Sequence, residues 1–247
     1  MLESLPLYIP LIFGLTTVLT LILFYWAIKN SNSQNVQRHA SRILTGLTLW
    51  LIVQAVLTCQ NLYTANIDFF PPTILLFGIL PAILTITGLF STQKGRRFID
   101  SLPLIYLTYL NIVRVPLELV LFCLFLNKAI PELMTFDGRN FDIIAGITAP
   151  IVAYLGLTKR KISKKIILIW NFICLGLLLN IVITAFLSAP SPVQTFGFDQ
   201  PNIAILHFPF SWLPTFIVPV ILFGHLTSIR RLFQMDTITQ KTDTKVV

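Results

Sequence analysis

Seven stretches of the chain, 5–29, 41–61, 72–91, 101–127, 140–158, 164–188 and 206–232, are each about as long and apolar as a bilayer-crossing helix must be. The connections between them are short and leave no room for a soluble domain. In hydrocarbon a backbone has to satisfy its own polar groups, and an isolated apolar segment does so only as a helix. The expectation is therefore an all-α polytopic membrane protein: one bundle of seven transmembrane helices over residues 1–234, with a flexible polar tail over 235–247. The opening MLESLPLYIPLIFGL has no basic leader and no small-residue cleavage site, so it is expected to be a retained first helix.

Composition agrees. Hydrophobic residues make up 55% of the chain and charged ones 11%, with a mean hydropathy of +0.80. A soluble domain carries about 25% charged residues. The net charge of +8 might suggest a polyanion partner, but the cations form short runs between the apolar stretches. Lys29, Arg38 and Arg42, then Lys94, Arg96 and Arg97, then Lys159 to Lys165, then Arg230, Arg231, Lys241 and Lys245 all fall on one side. Only Lys128 and Arg139 fall on the other. This asymmetry predicts an outside N-terminus and a cytoplasmic C-terminus, and it argues against nucleic-acid binding.

Against that background the run YLNIVRVPLELVLF stands out, because Arg114 and Glu118 sit inside the fourth apolar stretch. Each charge at such a depth costs about 2.5–3.5 kcal/mol on insertion scales. Four residues apart, the two share a helix face and are expected to neutralise one another, with Asn111 extending the stripe. Pro116 should free the carbonyl of Ile112 as a further acceptor for Arg114. Two readings follow, a buried pair that locks helices together and a ligand or proton site.

The other polar groups differ in depth and face. Gln54, Thr58 and Asn61 form one stripe suited to helix association. Asn171 and Asn180 point to opposite faces, and depth favours Asn180 for a shared pocket. In MTFDGRNFDII, Asp137 or Asn140 suits a helix cap and Asp142 the first-turn dipole, while Asp137 and Arg139 form an outer charged loop. His207, at the outer start of the last stretch, matches Glu118 and Asp142 in depth. His225 belongs at the opposite end, so the two histidines cannot share a metal. Prolines 81, 116, 150, 209, 214 and 219 imply bends, used either for packing or as hinges and cavity walls.

Several chemistries have no support. The three cysteines make no paired motif, no nucleotide, zinc-protease or nucleophile-elbow motif occurs, and no lysine lies mid-span to hold retinal. No catalytic residue, metal or cofactor is assigned. The blocks IPELMTFDGRNFDIIAGITAP and LHFPFSWLPTFIVPVILFGHL resemble stretches of bacterial integral-membrane proteins that carry no assigned activity. That resemblance covers most of the chain, implies a seven-helix protein of a bacterial inner membrane, and transfers no site residues.

Three functional classes remain. The first is an outward-facing polar pocket of Arg114, Glu118, Asn111, Gln54, Asn180, Asp142 and His207 that binds or transports a small anionic or zwitterionic solute. Glu118 and His207 would carry protons if transport is proton-coupled. The second is a sensor or accessory subunit without flux, which needs a membrane-protein partner or a second copy. The third is an enzyme acting on lipid or isoprenoid through Asp137, Asp142 or Glu118, although no aspartate-rich DDxxD motif is present.

Overall fold

The apolar stretches are helical, and where they depart from regular helix a proline is close by. The computed structural model describes residues 5–65 and 70–243, with side chains described as far as Gln234. Among these residues it is helical without strands. The helices are α1 (Tyr8–Lys29), α2 (Gln34–Cys59), α3 (Leu80–Ser91), α4 (Gln93–Ser101), α5 (Leu104–Tyr109), α6 (Arg114–Leu126), α7 (Asp142–Val152), α8 (Lys164–Ser188) and α9 (Val218–Asp243). The expected tail over 235–247 overlaps the end of α9, and residues 244–247 lie outside the described set.

Five helical segments are long and apolar enough to cross a membrane: Tyr8–Lys29, Gln34–Cys59, Leu104–Leu126, Lys164–Ser188 and Leu213–Gln234. A sixth candidate, Leu75–Ser91 with Gln93–Ser101, bends by 92° between its two parts. Asp142–Thr158 is apolar but shorter. The basic segment around 94–97, expected as a loop, is therefore helix α4. Thr92 starts it by accepting a hydrogen bond from the Gly95 amide. Gly95 is needed at the bend, because a Cβ there would lie 2.2 Å from the carbonyl oxygen of Leu89.

Proline chemistry accounts for much of the local geometry. Pro116 falls in the first turn of α6, where a missing N–H costs little, and a 3₁₀ turn over Leu110–Val113 joins α5 to α6. Single π-helical turns, Leu75–Ile79 and Leu213–Ile217, lead into Pro81 and Pro219. Neither proline can donate to the carbonyl four residues back, on Phe77 and Thr215 respectively. Helix α2 supplies substitutes: Gln54 Nε2 donates to Phe77 O at 3.1 Å and Trp50 Nε1 to Thr215 O at 3.0 Å. Side-chain donors of this kind hold helices together where apolar contact alone gives no preference over lipid.

The third and fifth of these long segments lie deepest in the bundle. Leu213–Gln234 is 67% buried and Leu104–Leu126 50%, against 17% for α2. Helix α1 packs against α2, α5 and α6, while α7 lies between α6 and α8. At one end, Ser31 Oγ donates to Ser101 Oγ, and Arg230 forms a two-point ion pair with Asp100. That end gathers Lys29 at the end of α1, the basic helix α4 and the end of α9. At the other end, Gln200 donates to Ile130 O and Ile203 N to Ala129 O, tying the 189–206 segment over the connection after α6.

Candidate functional site

The long side chain at the start of α6 reaches away from its own helix. Arg114 is 1% exposed; its Nη2 donates to Cys174 O of α8 at 3.1 Å, and its Nε lies 3.2 Å from Asp142 Oδ2 of α7. The second contact is an ion pair by distance, without a hydrogen bond directed along the N–H. The expected pairing along one helix, Arg114 with Glu118, is replaced by pairing across helices. Nor does the guanidinium use the Ile112 carbonyl; it uses that of Cys174.

The reason is how closely α7 approaches. Gly146 brings that helix so near the start of α6 that a Cβ would meet Val115 Cγ2 at 2.7 Å and Val115 N at 3.0 Å. The contact seats the N-terminus of α7 over both charged residues of α6. Asp142 falls on Arg114, and Asn140 falls on Glu118, whose Oε1 accepts from Asn140 Nδ2 at 2.6 Å. Asn140 also donates to Met134 O and accepts from the Asp142 amide through Oδ1. The cap position itself falls to Phe141, which makes no side-chain cap bond; Asn140, one residue earlier, accepts from the first helical amide and holds the glutamate with the same side chain.

Among the described residues, five buried atoms of this cluster find no hydrogen-bond partner: Arg114 Nε and Nη1, Glu118 Oε2, Asp142 Oδ1 and Asn111 Oδ1. An unpartnered polar atom in a low-dielectric interior is costly, and such atoms are uncommon away from sites of function. Arg114, Glu118 and Asp142 also line a cavity of about 480 Å³. That volume lies within the roughly 300–1,000 Å³ typical of small-molecule sites. Apart from these three, only Tyr63, Thr73 and Ser191 bring polar side chains to the wall; all other lining residues are apolar.

The remaining expected site residues lie elsewhere. Asn111 is buried beside the cluster but donates to Leu107 O and Thr108 O of its own helix. Gln54 is fully buried in a separate network, accepting from Tyr63 Oη while holding Phe77 O. Burial pushes the Tyr63 phenol up to about 12, against the lowering effect of its bond to Gln54, so it donates as a neutral phenol. Thr58 joins this network by donating to Ser211 Oγ. Asn180 is exposed and donates to Arg139 O; Asp137 and Arg139 are exposed as well. His207 is half-buried with Nδ1 on Ile203 O.

Depth favoured Asn180 over Asn171, yet Asn171 is the buried one. Its Oδ1 lies 3.1 Å from Nδ1 of His225, a fully buried histidine absent from the expected site. The signal in the sequence was the pair itself, an amide and an imidazole at matching depth on adjacent stretches. Asn140 was visible only as a cap. Among the described residues no group of His, Cys, Asp and Glu is arranged to hold a metal ion.

A family model described as "Domain of unknown function (DUF8737)" matches residues 71–233, well over half of the chain and the whole of the charged cluster. No curated protein and no solved structure proved similar.

Proposed function

Taking as premise that the chain belongs to the DUF8737 family, whose function is unknown, we propose that it is a membrane protein that binds, and carries across, a small charged ligand at the Arg114–Asp142–Glu118 cluster. The observation that carries this reading is the meeting of three almost fully buried charged side chains, each with an unpartnered polar atom, on the wall of one cavity. Glu118 is the proton carrier in this scheme. It faces an amide rather than a cation, so gaining or losing a proton does not break the Arg114–Asp142 pair.

The same proposal includes seven spans, an outside N-terminus and a bacterial inner membrane. The one-ended grouping of Lys29 at the end of α1, helix α4 and the end of α9 supports the orientation. Asp142–Thr158 is short for a span because the connection over 127–141 folds over its outer end and sets Asp142 into the bundle. The resemblance of two sequence blocks supports the membrane.

The test is a ligand screen by thermal shift on detergent-purified protein, repeated on Arg114→Gln, followed by flux in proteoliposomes with Glu118→Gln. Transport predicts a stabilising ligand that Arg114→Gln loses and a flux that Glu118→Gln abolishes in folded protein. A ligand bound without flux would make the protein a sensor or accessory subunit. A stabilising ligand retained equally by Arg114→Gln would remove the cluster from the site.

A further inference from the structure

The cavity that ends on the charged cluster has three different surfaces. Its floor is the guanidinium of Arg114 with the carboxyls of Asp142 and Glu118. Thr73 and Ser191, from the segments that precede α3 and follow α8, add two hydroxyl side chains to its lining. Its walls are hydrocarbon from α3, α8 and α9. On one side it reaches the outside of the bundle, where Ile83 of α3 and Leu179 and Ile183 of α8 line it and are 37%, 46% and 56% exposed. Helix α3 buries no residue fully, so this side is its loosest boundary.

Such a cavity suits a fully water-soluble solute poorly. A hydrophilic ligand would set its polar atoms against a wall that offers them no hydrogen bonds, whereas a hydrocarbon chain meets there the same apolar surroundings that it leaves in lipid. The floor asks for the opposite chemistry. Arg114 Nη1 is a free donor, and Glu118 Oε2 and Asp142 Oδ1 are free acceptors. One cation beside two carboxyls complements a headgroup that carries both an anion and an ammonium.

We propose that the occupant is a zwitterionic amphiphile, with its phosphate or carboxylate on Arg114, its ammonium between Glu118 and Asp142, and its chain leaving the bundle between α3 and α8. This names the ligand class of the cluster and so rests on reading the cluster as a ligand site. The chain enters from the surrounding lipid between α3 and α8, where the exposed Ile83, Leu179 and Ile183 line the cavity.

The experiment uses the full chain in a non-ionic detergent, with retention followed by native mass spectrometry and affinity by thermal shift. Three probes separate the parts: lysophosphatidylethanolamine carries chain and ammonium, lysophosphatidylglycerol lacks the ammonium, and phosphoethanolamine lacks the chain. The first is expected to bind tightest, and Arg114→Gln to weaken it about tenfold or more, the loss of one charge-assisted hydrogen bond. Val182→Trp, which fills the wall without touching the charges, is expected to lose the lysolipid and keep phosphoethanolamine.

Equal binding of the two lysolipids would overturn the ammonium assignment. Phosphoethanolamine binding that matches the lysolipid and depends on Arg114 would overturn the chain while leaving the site reading intact. Undiminished binding of every probe to Arg114→Gln would remove both. If Arg114→Gln does not fold, Val182→Trp still decides the chain, since full retention of the lysolipid there refutes it.

Discussion

Asn140 Nδ2 donates to Glu118 at 2.6 Å while its side-chain Oδ1 accepts from the Asp142 amide, so one side chain holds the Glu118 carboxyl and the backbone that carries Asp142. Asn140→Leu is expected to leave Glu118 without the one donor it has among the described residues and to free the start of α7. The cost should be about 1–3 kcal/mol, the penalty of a buried polar group left unsatisfied. Thermal melting in detergent reads it directly. A variant as stable as the parent would mean that Glu118 has a donor other than Asn140.

A double-mutant cycle separates the two candidate partners of Arg114. Losing one member of a buried pair costs about 3–5 kcal/mol, because the other charge stays behind. Asp142→Leu and Arg114→Leu should each be that severe, and their combination should recover much of the loss. Arg114→Leu with Glu118→Leu should instead be close to additive. Strong coupling to Glu118 rather than Asp142, measured by equilibrium unfolding, would restore the pairing expected along a single helix.

Gly146 is the point at which α7 meets α6. The Cβ of Gly146→Ala would lie 2.7 Å from Val115 Cγ2 and 3.2 Å from Asn111 O, so one helix must move. The expected loss is about 1–3 kcal/mol, as for other overpacked interiors. Because the shift separates Asp142 from Arg114, ligand-induced stabilisation should fall with it. Gly14 has nothing within 4 Å of its position, and Gly14→Ala serves as the neutral control.

Acid should release the basic end of the bundle. Burial alone would raise the Asp100 carboxyl, but hydrogen bonds and charge from Arg230, with Gln234 and Arg231, outweigh it and hold it below its ordinary value. A carboxyl depressed in the folded state stabilises above its unfolded pKa and loses that contribution as pH falls through the folded one. Asp100→Asn should therefore lower the melting temperature near neutrality, by the equivalent of roughly 0.2–1 kcal/mol for a partly exposed pair. Melts taken in increasingly acidic buffer should bring variant and parent together; a gap that persists in strong acid would assign the effect to packing.

Helices were legible in the sequence because lipid leaves the backbone few choices: the stretch at 164–188 coincides with α8, whereas α2 starts at Gln34, well before the apolar stretch at 41–61, since its polar first turns carry no apolar signal. The basic segment near 94 was harder: its amphipathic turn is short, and nothing local announces a 92° bend. The site was half legible. Arg114 and Glu118 are conspicuous wherever they sit, but their partners depend on which neighbour comes closest. That is decided by a glycine at position 146, and no spacing rule along one helix reports it. Gln54 could be read as helix glue from its stripe, whereas the carbonyl it serves is revealed only by Pro81 on another segment.

The two donors that α2 lends to proline-weakened carbonyls bear on how the family region can be handled. Gln54 and Trp50 lie outside residues 71–233, yet Phe77 and Thr215 lie inside. A fragment cut to the matched boundaries would carry two acceptors into hydrocarbon without the groups that serve them, and Ser211 would lose Thr58 as well. The recognisable region is a unit of descent. The unit of folding is larger, and its second helix acts as a splint that has to be synthesised along with the part it braces.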